Sequence, residues 1–230
     1  MIEAAQVNDE YERVPFEEDG RVSMHTSKLL WECNARCGCG VDCISKASQR
    51  GRKFGLKIKR FPGKGWGVVL NQTEPIPPRA FVARYVGEII TNKEALRRGQ
   101  EYDKKGATWL FDLDYNTENT AEYSIDAYHM GNESHFFNHS CDPNLSVYML
   151  AGNTGGDSSI TTHSFWSNRW IYEGDELTFD YNGAANNEGL QQRQQNQQQQ
   201  KKKKKRQKGQ TRCLCGSANC REWVHLFRGK

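Results

Sequence analysis

The sequence predicts a mostly β fold carrying cysteine-rich, zinc-binding segments on either side of the β core. Three observations support this. Short apolar or alternating runs separated by turn residues fill the stretch 54–181. Seven of the eight cysteines fall in two tight clusters that flank it. No run of about 18 apolar residues exists, which excludes a membrane-spanning helix, so no membrane partner is expected.

Taken in order, residues 1–32 are polar and acidic, without a clear period, and are expected to form a loosely ordered start. They show no basic head followed by an apolar stretch, so no secretory signal is expected and the reading is intracellular. Residues 33–53 hold the first cysteine cluster. Within 54–182, strand-like runs cover 54–61, 67–70, 81–90, 108–113, 123–125, 145–150, 164–166 and 177–181. Pro62-Gly63, Pro77-Pro78, Gly152-Asn153 and Gly155-Gly156 punctuate them. One helix is signalled: Thr91-Asn92-Lys93-Glu94 has the form of a capping box, and Arg97-Arg98 before Gly99 predicts its stop. Residues 183–212 are rich in Gln, Asn and Lys, a composition that buries too little apolar area to offset chain entropy, and are read as a disordered insert. Residues 213–230 carry the second cysteine cluster.

Net charge is +4, but nine basic residues against one acidic between 186 and 212 give that stretch +8 and leave −4 for the remainder. The mean basicity is therefore an effect of the insert, and the folded part is expected to be mildly acidic, suited to a basic peptide. The run Lys201–Arg206 is read as a solvated linker or import signal, or as a weak, salt-sensitive, sequence-independent contact with nucleic acid.

Cysteines in a chain without an export signal read as metal ligands before disulfides. Cys33, Cys37, Cys39 and Cys43 form one cluster, and Cys213, Cys215 and Cys220 the other; Cys141 stands alone between them. Spacings of one to four residues let a short turn present several thiolates to one tetrahedral Zn²⁺.

The string Asn138-His139-Ser140-Cys141-Asp142-Pro143-Asn144 is the most specific in the chain. Taken with Gly65-Trp66-Gly67, Tyr85-Val86-Gly87-Glu88 and Glu176-Leu177-Thr178-Phe179-Asp180-Tyr181, it resembles the SET-domain protein lysine methyltransferases. The segment after residue 212 looks like their post-SET zinc motif, and Glu32-Cys33-Asn34 through Cys43 like the end of their pre-SET motif. With Trp109-Leu110-Phe111-Asp112-Leu113-Asp114, the closest resemblance is to the suppressor-of-variegation branch, which methylates lysine 9 of histone H3.

The resemblance implies a fold of several small sheets with a knot-like crossing of the Asn138 and Tyr181 segments. It implies S-adenosylmethionine and Zn²⁺ as cofactors, the histone H3 tail or nucleosome as partner, and a nuclear, chromatin-bound location. Tyr181 is implied to orient the target amine and Phe179 to line its channel. Phe179, where a tyrosine would restrict methyl number, implies di- or trimethylation. Lys64, Gly65, Trp66, Trp109, His135, Asn138 and His139 are implied to meet the cofactor, and Cys141 to join Cys213, Cys215 and Cys220 on one zinc. Trp109 stands where the family has tyrosine, His135 where many members carry arginine, and Met130 where an aromatic residue is common. The pre-SET motif of relatives holds nine cysteines, of which four match here, so one zinc or none is expected on Cys33, Cys37, Cys39 and Cys43. A second expectation is a catalytically weak tail-binding module, or a methyltransferase for another lysine.

The chemistry is consistent with these residue types. Methyl transfer to an amine is an in-line displacement that requires a neutral nucleophile, whereas a free lysine has a pKa of about 10.4. A narrow, dry, aromatic channel next to a positive sulfonium favours the neutral amine. The Lys64-Gly65-Trp66 turn offers a backbone that can approach a ligand and an indole that can cover it.

Overall fold

A computed structural model describes residues 15–24, 29–105, 109–113, 122–152, 160–181 and 210–225. The expected β character is realised as small sheets around one main core. The largest orders β1 (Leu29–Trp31), β9 (Leu145–Ala151), β10 (Thr162–Ser167) and β4 (Phe81–Arg84) side by side. A second orders β5 (Glu88–Thr91), β7 (Tyr123–Asp126) and β6 (Leu110–Asp112). Two-stranded pairs join β2 (Leu56–Phe61) to β3 (Gly65–Leu70), and β8 (Asn138–His139) to β11 (Thr178–Phe179). Near the C-terminus β12 (Gln210–Arg212) pairs with β13 (Trp223–His225).

Val68, Leu70, Val82, Ile125, Phe137, Phe165 and Leu177, all buried, meet where these sheets converge. A smaller cluster packs Phe16, Val22 and Leu30 on the fully buried Trp166, with Phe16 stacked on its indole at 5.7 Å. Truncating such a side chain costs about 3–5 kcal/mol. Leu29–Trp31 lies within the segment expected to be loosely ordered, yet pairs parallel with β9 in the register Leu30↔Leu150. Its signal is too short to read: one buried leucine between two half-exposed neighbours has no detectable period.

Two further expectations change. The 81–90 run divides at Tyr85-Val86-Gly87, because its halves serve different sheets: β4 pairs with β10, and β5 with β7. Gly87 allows the crossing, since a Cβ there would lie 2.5 Å from the Asp126 carbonyl oxygen. The helix α1 spans Asn92–Lys105 and runs through the expected stop at Gly99. Helical glycine costs about 1 kcal/mol. Against it stand the Tyr102 hydroxyl, donating to Asp126 at 2.8 Å, and Arg98, paired with Glu88 and Asp126 at 2.7 Å each. Of the capping box, the Thr91 arm is present, with Glu94 N–H 3.5 Å from its hydroxyl, while the Glu94 carboxylate turns to Arg97 and Arg98.

The insert falls almost wholly outside the described residues, as do Gly155-Gly156 and Lys201–Arg206; its last three residues form β12. Among the described residues no helix is long and apolar enough to cross a membrane.

Candidate active site and metal centres

The site forms where β8 and β11 lie parallel, pairing Thr178 with Asn138 and Phe179 with His139 across forty residues of sequence. Asn144 closes this crossing: its Nδ2 donates to the Glu176 carbonyl and its Oδ1 accepts from Thr178 N–H, each at 2.9 Å. A buried carboxamide with donor and acceptor both satisfied in this way substitutes for one rung of a β ladder.

Tyr181 leaves the end of β11. Its hydroxyl donates to the Phe137 carbonyl at 2.8 Å, and its backbone N–H donates to His139 Nδ1 at 3.2 Å. Burial, with the Glu176 carboxylate nearby, pushes the phenol well above its usual range, so it stays protonated. Its ring centroid is 4.7 Å from that of Phe179. Phe179 in turn stacks on Phe111 at 5.9 Å and 12°, and Phe111 meets Tyr85 edge-on at 5.3 Å. Behind Phe111, the fully buried His163 packs its ring at 4.0 Å and lies 2.5 Å from the Asp112 carbonyl through Nε2. Burial pushes His163 down to about 4, so the neutral ring donates from Nε2.

Trp109 sits apart from this aromatic row. Its indole packs on Tyr128 at 4.7 Å and Tyr102 at 5.9 Å, and its carbonyl accepts from the Tyr85 hydroxyl at 2.7 Å. Lys64, Gly65, Trp66 and Asn138 are brought together. Asn138 Nδ2 donates to the Trp66 carbonyl at 3.1 Å and to Glu176 Oε1 at 2.8 Å, while Lys64 pairs with Glu176 Oε2 at 2.8 Å. Gly65 has φ +92 with open space where a Cβ would stand, and Trp66 is exposed beside it. Gly67 is required by packing, since a Cβ would lie 2.7 Å from Asn138 Nδ2. His135, whose Nδ1 is buried without a hydrogen-bond partner, sits in the single helical turn Glu133–Phe136, which packs on β3 just before β8. Glu176 joins the Lys64–Trp66 turn to the crossing and was missed as a site residue. Its signal, a carboxylate inside a strand-like motif, is equally that of a surface position.

The four sulfurs of Cys141, Cys213, Cys215 and Cys220 all lie within 4.8 Å of one another, with Cys141 and Cys213 at 3.8 Å. A tetrahedral zinc with bonds near 2.3 Å needs sulfurs roughly 3.8 Å apart, so these residues fit the ion. Around them, the backbone N–H and Nε of Arg221 reach Cys141 Sγ at 3.3 and 3.4 Å, and the Ser217 hydroxyl reaches Cys215 Sγ at 3.2 Å. Burial raises the Cys215 thiol, but bonds from Ser217 and Cys141 outweigh it and bring it down to about 6; burial raises Cys213.

His139 links this centre to Tyr181. Its Nδ1 accepts from Tyr181, and its Nε2 lies 3.4 Å from Cys141 Sγ and 3.3 Å from Arg221. Burial holds the ring neutral, down to about 4. Arg221 completes the bridge at 2.6 Å from Asp180. Sequence reasoning did not single out Arg221, whose role depends on a segment thirty residues beyond Tyr181 folding back.

At the other end, Cys33, Cys39 and Cys43 gather within 4.8 Å of one another, while Cys37 lies outside that group with its Sγ 3.8 Å from Asn34. Burial and the neighbouring thiols push Cys33 up to about 12. Next to it the buried Glu32 accepts from Ser48 N–H at 2.6 Å and Ser48 Oγ at 2.7 Å, and meets Arg84 of β4 at 3.4 Å.

Residues 65–182 match the SET domain family, just over half of the sequence. The chain belongs to that family. Among curated relatives, the histone-lysine N-methyltransferase, H3 lysine-9 specific, of Schizosaccharomyces pombe is 40% identical over 94% of this chain and 42% of its own length. Among solved structures, the SET-domain protein DIM-5 of Neurospora, a histone lysine methyltransferase, superposes with a TM-score of 0.65 at 30% identity, over 74% of this chain and 71% of that one. SUVH6 of Arabidopsis thaliana, in complex with SAM, does so with a TM-score of 0.68 at 29% identity, over 94% and 41%. The chain spans about a third to a half of the length of the first curated relatives it matches. The SET fold and the likeness to the Su(var)3-9 branch expected from the sequence are thereby established.

Proposed function

We propose that this chain is a protein lysine methyltransferase that uses S-adenosylmethionine and acts on the histone H3 tail, with lysine 9 as its target and chromatin as its place of work. The observation that carries the reading is the aromatic row of Phe111, Phe179 and Tyr181, set at the β8–β11 crossing next to the Lys64–Trp66 turn. Relatives that align over most of the chain bear names of this activity.

Residues fitting S-adenosylmethionine are the open Gly65 turn, the Asn138 carboxamide, the backbone at His139 and the unpartnered Nδ1 of His135. When bound, it supplies an electrophilic methyl on a sulfonium whose positive charge disfavours a protonated amine next to it. The chain's own part is positioning and exclusion of water. Phe179 and Phe111 wall the lysine stem and exclude water, which lowers the lysine pKa towards the neutral, nucleophilic form. Tyr181 stays a phenol, and with its proton committed to Phe137 it offers a lone pair towards the amine. The lysine would lose its proton to solvent within this aromatic wall, and the neutral amine so held would be aligned for in-line attack on the methyl that the bound group would supply, leaving it as a neutral thioether. Phe179 leaves space for further methyl groups. The four thiols of the post-SET centre would hold one structural zinc, and the three gathered at Cys33, Cys39 and Cys43 would hold at most one.

The test is methyl transfer from labelled cofactor to an H3 tail peptide. Tyr181→Phe is expected to lower kcat by at least roughly tenfold with cofactor affinity nearly unchanged, because a contact made in the transition state is lost. Equal turnover would remove Tyr181 from this role. A weakly catalytic tail-binding module is the second reading, favoured by the Trp109 indole, which lacks a hydroxyl and packs away on Tyr102 and Tyr128. Peptide binding without turnover by the unmodified chain would establish it.

A further inference from the structure

The net charge of −4 outside the insert conceals an uneven distribution. Between Asp42 and Glu74 the sequence holds eight cations and no acid. Half of them are engaged. Lys46 and Arg50 donate to backbone carbonyls of the cysteine segment, Arg52 pairs with Glu133 at 3.3 Å, and Lys64 pairs with Glu176. Lys53, Lys57, Lys59 and Arg60 are exposed and make no ion pair among the described residues.

Three of these four stand on β2, whose residues 57–60 are all exposed, even the apolar Ile58 at 42%. Lys57 and Lys59 point to one face, roughly 6.7 Å apart along the strand, and Arg60 to the other. Charges that serve only to keep a surface wet come mixed in sign, because neighbouring like charges repel. An edge strand carrying unpaired cations on both faces, in a stretch of about thirty residues of sequence without an acid, and with the nearby Glu176 and Glu133 already paired to Lys64 and Arg52, is a surface complementary to a polyanion.

We propose that the β2 edge docks duplex DNA through its phosphate backbone, independently of sequence. The strand is exposed on both faces and gives no enclosure for a small anion. It presents no ladder of aromatic rings of the kind that binds single strands by stacking. Isolated cations at strand spacing contact phosphates and read no bases. The antiparallel partner strand, β3, starts at the Lys64–Trp66 turn, which Glu176 ties to the crossing, so DNA held on β2 lies next to the lysine channel. Resting on the activity proposed above, this edge would deliver a tail that emerges from DNA-wrapped histones, through KM and not through kcat.

The experiment measures anisotropy of a fluorescein-labelled random-sequence duplex against salt. It uses the full chain and a version with residues 186–210 replaced by a Gly/Ser linker, so that Lys201–Arg206 cannot account for the signal. In both, Lys57→Gln/Lys59→Gln/Arg60→Gln is expected to weaken binding at least tenfold at low salt. It should also flatten the slope of log K against log salt by about 3, at about 0.9 per lost phosphate contact. Lys57→Arg/Lys59→Arg should bind as the parent does. On nucleosomes the Gln variant should raise KM several-fold at unchanged kcat, with unchanged kinetics on the free peptide. An unchanged affinity and slope in the linker version, or tighter binding of a single strand than of the duplex, overturns the proposal. Absence of turnover on every substrate, with the salt dependence as expected, would instead overturn the methyltransferase reading alone.

Discussion

The two cysteine groups are built from similar spacings but do different work. Cys33, Cys39 and Cys43 lie within eleven residues, so a metal there clips one loop, which reaches the SET core through the Glu32, Ser48 and Arg84 contacts. The post-SET group takes Cys141 from the motif at the crossing and its other ligands from more than seventy residues later, and it touches His139 and Asp180 through Arg221. Short sequence spacing identifies a metal site but not its function. The separation of its ligands shows whether the metal shapes a loop or assembles an active site.

The strongest test of this difference is Cys220→Ser. It is expected to lower activity by at least about a hundredfold while the core retains its β-sheet circular dichroism, because the zinc organises the C-terminal cover and the core has its own apolar packing. Collapse of the core signal together with activity would erase the distinction. Arg221→Met comes next: it leaves the four sulfurs in place but severs the bridge to Asp180 and His139. Roughly tenfold loss of kcat with zinc content unchanged is expected, and loss of zinc instead would make Arg221 part of the metal site.

Cys39→Ser should remove any metal held at the N-terminal group and lower stability by about 1–3 kcal/mol, while kcat on peptide changes only a few-fold. Cys37→Ser, outside the gathered three, should leave metal content unchanged. Metal analysis of the unmodified chain is expected to give one zinc for the post-SET group and at most one for the other, and three per chain would break the comparison.

A further test concerns acid sensitivity, read as a change in the slope of stability with pH. His163 titrates near 6.5 when unfolded and near 4 when folded, so the unfolded chain takes up the proton first. Stability therefore falls as pH drops from about 6.5 to 4, by up to roughly 3 kcal/mol. Thermal melts of His163→Leu should show a shallower loss over that window, distinguishing acid effects on the core from effects on the thiolates.

What could be read from the sequence follows from the range of each interaction. The cysteine spacings and the alternating runs are local, and they located the cysteine clusters and most of the β strands, whereas the crossing was implied only by the family resemblance that the 138–144 string carries. Gly99 was misread as a stop because the contacts that carry the helix past it, Arg98 to Asp126 and Tyr102 to Asp126, join residues more than twenty apart. Glu176 and Arg221 escaped notice for the same reason, since each acts on partners that the fold alone brings near. The cationic β2 edge was passed over in the sequence, because the sum of charges over the folded part cancels it, and its meaning needed the exposure of the strand.

The ligand separation at the post-SET centre also bears on how freely the family can vary. A metal that joins Cys141 to Cys213 closes a loop of about seventy residues, and the entropy of such closure grows only with the logarithm of length. Doubling the loop costs about 0.6 kcal/mol, less than one good hydrogen bond. Evolution can therefore lengthen, shorten or rewrite the stretch between Tyr181 and β12 almost without thermodynamic penalty, so long as the returning cysteines still find Cys141. The zinc thus frees that stretch to diverge while it fixes the chemistry at either end.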